Sequence, residues 1–218
     1  MLNENILNKI GINKKWLLPL NNAFQKHNIT DIKEAAMFLA QTTHESNNYK
    51  RLEESFRYTP QRLFDVFKKR VGSLDNAKQL CIQGAEAIGN FVYGGRLGNG
   101  QDEGYKYRGR GIIQLTGKNN YRNYGKKINA DLVNNPDFAK EPNNAIEIAL
   151  LFWQEKGCGL LARKGDVKGV TKLINGGYNG LEDREERYKN ILNILGGLIC
   201  LHQQRKQNCC IGKKINAV

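Results

Sequence analysis

The segment from Gln41 to Ser55, QTTHESNNYKRLEES, constrains this chain more than any other. It follows a run with apolar residues at Ile32, Ala35, Ala36, Phe38 and Leu39, the spacing of one face of an amphipathic helix, and Asp31 with Glu34 stands at capping-box spacing at its start. That helix delivers His44 and Glu45 at its C-terminal end. A second carboxylate, Glu54, follows nine residues later. On one unbroken helix, nine steps of about 100° would turn the two side chains to opposite faces, so the helix has to stop between them if both are to line one cleft. Ser46, Asn47 and Asn48 suit that break, because short polar side chains compete for backbone hydrogen bonds.

Two carboxyls in one cleft have a specific chemical use. Cleaving a glycosidic bond takes a protonated carboxyl to donate to the leaving oxygen and an ionised one to activate water or attack the sugar. Glu45 is the candidate acid and Glu54 the candidate base. A glutamate at a helix C-terminus faces the negative end of the helix dipole, which suits a group that must carry a proton. His44 and Glu45 do not form a metalloprotease motif, because HExxH requires a second histidine where Asn48 stands.

Three further blocks follow in order: Asn90 to Gly100, NFVYGGRLGNG; Gly104 to Tyr121, GYKYRGRGIIQLTGKNNY; and Ile174 to Arg187, INGGYNGLEDREER. With the His44-Glu45-Ser46 triplet they resemble the chitinases and phage endolysins of glycoside hydrolase family 19, from roughly Ala35 to Tyr188. The resemblance implies a mainly α (α+β) lysozyme-like fold with helical lobes around a substrate cleft. It also implies an inverting mechanism in which Glu45 is the general acid, Glu54 the general base, and Thr116 the hydroxyl that helps hold the attacking water. Inverting enzymes keep their carboxyls about 6.5 to 9.5 Å apart to admit that water. Gln114, Asn120 and Asn175 match family positions that bind sugar hydroxyls and N-acetyl groups, His44 and Tyr93 are assigned to the substrate as well, and Arg184 resembles a family arginine near the acid. Glu53 adjoins Glu54, and the family register selects Glu54. Two departures are visible: HESNN lacks the glycines that often follow this His-Glu, and Phe91 stands where arginine is common.

Further helices are expected from Thr59-Pro60 onward, with Leu63, Phe64, Phe67 and Val71 on the inner face, and near residues 75–91, 118–128, 142–156 and 181–200. Pro142 falls near the start of one, and Gly157 is a plausible residue just past its end. From Tyr93 to Gly117 the chain carries glycines at 94, 95, 98, 100, 104, 109, 111 and 117 among tyrosines, arginines and apolar residues. That texture predicts turns and short strands where backbone approaches a ligand, not a linker. It contains no GxxxxGK[ST] phosphate loop.

At 218 residues the chain is long enough for one sizeable core, and a single catalytic domain over 1–199 with a basic, cysteine-containing tail over 200–218 is expected. Cys81, Cys158, Cys200, Cys209 and Cys210 form an odd set without CxxC or matched histidines, and His27 and His202 have no ligand cluster. No metal, cofactor or disulfide framework is therefore expected. No stretch approaches the roughly 20 apolar residues of a membrane span. The N-terminus MLNENILNKIGINKKWLL lacks the apolar core of a signal peptide. Synthesis in the cytoplasm is expected, with access to a wall through a partner such as a holin.

Lys and Arg number 34 against 21 Asp and Glu, a formal charge of +13. Such a balance favours a polyanionic partner. The cations are scattered, with short runs at Lys68 to Arg70, Lys126 to Lys127 and Lys213 to Lys214 and no nucleic-acid-binding signature, so specific nucleic acid is disfavoured. An anionic bacterial wall or outer-membrane surface explains the charge and also fits the carboxylates. The expectation is a monomeric, endolysin-type hydrolase of the β-1,4 bonds of peptidoglycan. A chitinase is the alternative enzyme, and a non-catalytic wall- or nucleic-acid-binding protein the alternative of another class.

Overall fold

Helices carry nearly all the regular structure in the computed structural model, which describes residues 2–196. They are α1 Glu4–Ile10, α2 Leu17–Lys26, α3 Ile32–Ser46, α4 Pro60–Val71, α5 Leu74–Gln83, α6 Ala85–Tyr93, α7 Lys118–Ile128, α8 Pro142–Glu155, α9 Cys158–Lys164 and α10 Val167–Asn175. A further helix, α11, covers residues 181–196. Among the described residues β structure is confined to the isolated bridges Glu53 to Arg110 and Arg110 to Leu115. The glycine-rich segment thus holds turns where short strands were expected. Left-handed positions at Leu97, Gln114 and several glycines reverse the chain too often for a ladder to propagate. No helix among the described residues is long and apolar enough to cross a membrane. The expected tail over 200–218, with Cys200, His202, Cys209 and Cys210, lies outside the described residues.

The described residues divide into two compact units, one of residues 2–49 with 150–196 and one of Lys50–Ala149. In the first, α3 is the central element. Asp31 caps it by accepting from the Lys33 and Glu34 amides at 2.8 and 3.0 Å. The other half of the expected capping box does not form that way. Glu34 is buried and instead accepts from Trp153 Nε1 and Arg163 Nη1 at 3.2 and 2.6 Å. Nor is α3 one-sided, since residues Ala36 through Thr43 are all buried. Its polar positions are satisfied locally, for Thr42 and Thr43 donate to the Phe38 and Leu39 carbonyls, each at 2.7 Å. Phe38 meets Phe24 and Trp153 edge-on, with ring centroids 5.6 and 5.5 Å apart. Helices α1, α2, α9 and α10 are short, and the periodicity of the sequence did not mark them. Their stability comes from burying residues such as Ile6, Leu7, Leu20 and Val170.

In the second unit, Thr59 caps α4 and Pro60 begins it, as expected. Leu63 and Val71 join Phe56, Ala77, Ile88 and Val92 in a core, with Phe64 and Phe67 packed at its edge. The helix expected over 75–91 is two helices, because Gly84 takes φ +95° between α5 and α6. Helix α7 spans the expected residues, α8 begins at Pro142, and Gly157 takes the left-handed conformation after α8.

Candidate active site

Helix α3 ends at Ser46, at the break expected between Glu45 and Glu54. Asn47, Asn48 and Tyr49 are three successive residues with φ of +50°, +55° and +62°. Asparagine tolerates this region because its side chain can bond locally. Tyr49 is held there by burial and by the 2.8 Å hydrogen bond between its hydroxyl and that of Thr42.

Glu45 lies in the last turn of α3, where the dipole argument placed it, and it has a neighbour which that argument did not include. Arg184, from the first turn of α11, donates from Nη2 to Glu45 Oε1 at 2.5 Å while its side chain is only 1% exposed. The same guanidinium donates to Gln41 Oε1 at 2.5 Å and to the Asn179 carbonyl at 3.2 Å. Asn175, at the end of α10, also donates to the Asn179 carbonyl, at 3.3 Å. His44 sits beside this group, its Nδ1 2.5 Å from Asp183 Oδ2. Asp183 also accepts from Arg187 Nε at 2.6 Å, and Arg187 Nη1 reaches back to Asn48 Oδ1 at 2.7 Å. Burial alone would raise the Asp183 carboxyl, but Arg187 and His44 outweigh it and hold it below the usual carboxylate range. Gly180 closes the group with φ +71°, and a Cβ there would overlap the His44 ring. His44, Glu45, Asn175 and Arg184 are therefore gathered within one unit.

The second group lies wholly in the other unit. Glu54 Oε1 accepts from the Tyr93 hydroxyl at 3.0 Å and its Oε2 from the Gly109 amide at 3.2 Å, while the Glu54 amide donates to the Gly109 carbonyl at 2.8 Å. Burial, and then the adjacent Glu54 carboxylate, push the Tyr93 phenol well above its ordinary range, so it remains a donor. Tyr93, assigned to the substrate from sequence, is thus engaged with Glu54 itself. A Cβ on Gly109 would lie 3.0 Å from Gln114 Oε1 and 3.3 Å from Glu54 Oε2, which places both side chains around a residue with no side chain. Gln114, at φ +54°, donates to the Gly111 carbonyl at 2.9 Å. The Thr116 hydroxyl donates to the Gln114 carbonyl at 2.8 Å, and Asn120 Nδ2 to the Thr116 carbonyl at 2.7 Å. With its proton committed there, Thr116 Oγ1 keeps lone pairs to accept a hydrogen bond.

Glu53 faces other partners. It pairs with Arg108 and, at 2.9 Å, with Lys140. Burial would raise its carboxyl, but those two cations prevail and hold it low. Arg110, almost fully buried, donates to Asp137, the Lys106 carbonyl and the Tyr121 hydroxyl at 2.8, 2.6 and 3.1 Å. Tyr121, its phenol pushed up to about 12 by burial, donates to the Arg108 carbonyl at 2.6 Å. This framework fixes the loop that presents Gly109, Gln114 and Thr116. No role was expected for Gln41, Gly109 or Asp183. For Gln41 a signal existed, since it precedes Glu45 by one helical turn on the same face.

The sequence matches the family described as chitinase class I over residues 21–208. The chain belongs to glycoside hydrolase family 19. A relative from Haemophilus influenzae, described as a glycosyl hydrolase family 19 domain-containing protein, is 37% identical over 162 residues, 73% of this chain and 78% of that one. The acidic endochitinase of Petunia hybrida is 48% identical over 114 residues, 49% of this chain and 40% of its own length. The chain thus spans less than half of that plant enzyme. Among solved structures, chitinase C from Streptomyces griseus superposes with a TM-score of 0.61 at 18% identity, covering 89% of this chain and 92% of that one. That likeness concerns the fold, mainly helical in both. This family 19 member is a glycoside hydrolase, and the chitinase-like class expected from its motifs holds.

Proposed function

We propose that this family 19 member is an endolysin-type hydrolase that cleaves β-1,4 bonds of peptidoglycan with inversion. Protonated Glu45 gives its proton to the glycosidic oxygen as the C1–O bond breaks. Water, one proton passing to Glu54 and the other donated to Thr116 Oγ1, adds to C1 from the opposite face. The product hemiacetal carries the inverted configuration, Glu45 is left as a carboxylate beside Arg184, and proton exchange with solvent restores both groups. The observation that carries the reading is the difference in surroundings: Glu45 accepts from Arg184, Glu54 from the Tyr93 hydroxyl and the Gly109 amide, whereas Glu53 is paired with two cations, Arg108 and Lys140. Gln114, Asn120 and Asn175 present amides suited to sugar hydroxyls and N-acetyl groups.

The formal charge of +13 supports a wall glycan over neutral chitin, because anionic wall polymers would concentrate a cation of this size. Chitin is the second reading, favoured by the plant relatives described as endochitinases. Reducing-end release from purified peptidoglycan and from chitin oligomers, side by side, separates them. Release from peptidoglycan with an α-anomeric first product seen by proton NMR supports the proposal. Release from chitin oligomers alone assigns the chitinase reading, and a β-anomer overturns the inverting mechanism.

A further inference from the structure

Gln41 has 0% exposure, and its side-chain amide lies between the Thr171 hydroxyl and the Arg184 guanidinium. On one side its Nε2 is 3.1 Å from Thr171 Oγ1 in α10, and on the other its Oε1 is 2.5 Å from Arg184 Nη1. The direction of every bond in this chain is fixed from one end. The Thr171 hydroxyl donates its single proton to the Val167 carbonyl at 2.7 Å, so toward Gln41 it can only accept. Gln41 must then turn its NH2 to Thr171 and its oxygen to Arg184. A flipped amide would set NH2 against a guanidinium that has only donors. Arg184, with Nε on the Asn179 carbonyl and Nη1 on Gln41, has its plane set by two acceptors and presents Nη2 to Glu45. Gln41, Thr171 and Arg184 are all buried, so these bonds form where an unmade one is costly.

We infer that Gln41 and Thr171 are positioning residues for the acid: a one-directional hydrogen-bond chain from the Val167 carbonyl through Thr171, Gln41 and Arg184 sets the orientation of the Glu45 carboxyl. The inference rests on Glu45 being the proton donor. Neither residue touches substrate in this role. Both act by preventing the guanidinium from rotating, and the carboxyl with it, away from the leaving oxygen.

The test is steady-state hydrolysis of chitin oligomers and of peptidoglycan fragments by Gln41→Met, Thr171→Val and Thr171→Ser, each checked for a wild-type circular dichroism spectrum. Gln41→Met keeps the length and apolar volume of the side chain but removes the acceptor for Arg184. A displacement near 1 Å at an acid costs up to about 100-fold. Gln41→Met and Thr171→Val should therefore lose between about 10- and 100-fold in kcat with KM changed less than about twofold, while Thr171→Ser, which keeps the hydroxyl, stays near wild type. The double variant Gln41→Met/Thr171→Val should lose no more than the worse single one, because both break the same chain. Wild-type kcat in a folded Gln41→Met overturns the inference. So does equal damage from Thr171→Val and Thr171→Ser, which would mean packing, and that pair decides should Gln41→Met fail to fold. Loss of turnover in Glu45→Gln with no loss in these variants removes the chain alone, whereas an active Glu45→Gln removes the acid assignment beneath it.

Discussion

Glu45 meets a buried guanidinium, Glu54 meets a phenol and a peptide amide, and Glu53 meets two cations that hold it as a structural anion. In the proposed mechanism these different surroundings go with different tasks. Glu45→Gln keeps the shape but has no proton to deliver, so turnover should fall by about 10²-fold or more, with Glu54→Gln comparably damaged. Glu53→Gln should cost turnover little and appear instead as a lower thermal midpoint. A folded Glu45→Gln with normal turnover removes the central assignment, and an inactive Glu53→Gln shifts the register by one. In the proposed mechanism the hydroxyl of Thr116, and not its methyl, holds the water. Thr116→Ala should reduce kcat with little change in KM, and Thr116→Ser should retain most of it; equal losses would assign the role to the methyl group.

Elements are positioned by a few local decisions, and α3 shows them best. Its start depends on Asp31, which accepts from two first-turn amides. Asp31→Ala should therefore destabilise the fold by about 1 kcal/mol, read from urea unfolding midpoints, without altering KM. Its end depends on three residues in the left-handed region, and that break, foreseen from Ser46, Asn47 and Asn48, falls between Glu45 and Glu54. Elsewhere local signals were insufficient. The run over 75–91 reads as one helix because nothing in its periodicity marks Gly84, while the structure turns there at φ +95°. Glu34 reads as a capping residue, yet Trp153 and Arg163, both more than a hundred positions away, draw it inward.

For the whole molecule, two electrostatic consequences follow. Asp183, Glu53 and Asp137 are each held below the ordinary carboxylate range by adjacent cations against the opposing effect of burial. A carboxyl lowered on folding contributes stability in full above its unfolded value of about 4, and loses it as pH falls through the lower folded value. Urea midpoints should accordingly be flat from about pH 7 to 5 and fall steadily below about pH 4; no fall would mean that these pairs contribute nothing net. The second consequence concerns the excess of 34 basic over 21 acidic residues. If it draws the enzyme to an anionic wall, binding to whole walls should weaken as the Debye length shrinks from about 30 Å at 0.01 M salt toward about 3 Å at 1 M. Hydrolysis of a short neutral chitin oligomer should change much less over the same range. Parallel losses on the two substrates would show that net charge is not acting through wall attraction.

The sequence by itself determined the helical class, the family and the site of the α3 break, because each is written in short-range chemistry: apolar spacing, capping residues, left-handed asparagines and ordered motifs. Tertiary structure decided which groups those carboxylates meet. Arg184 and Gln41 are 143 positions apart in the chain, His44 and Asp183 139, and Tyr93 and Glu54 39, and no local rule pairs residues at such separations. Only packing settles them. A buried amide or guanidinium must find its partner among the groups that folding brings within about 3 Å, and the penalty for leaving it unmatched selects one arrangement from many that the same residues allow.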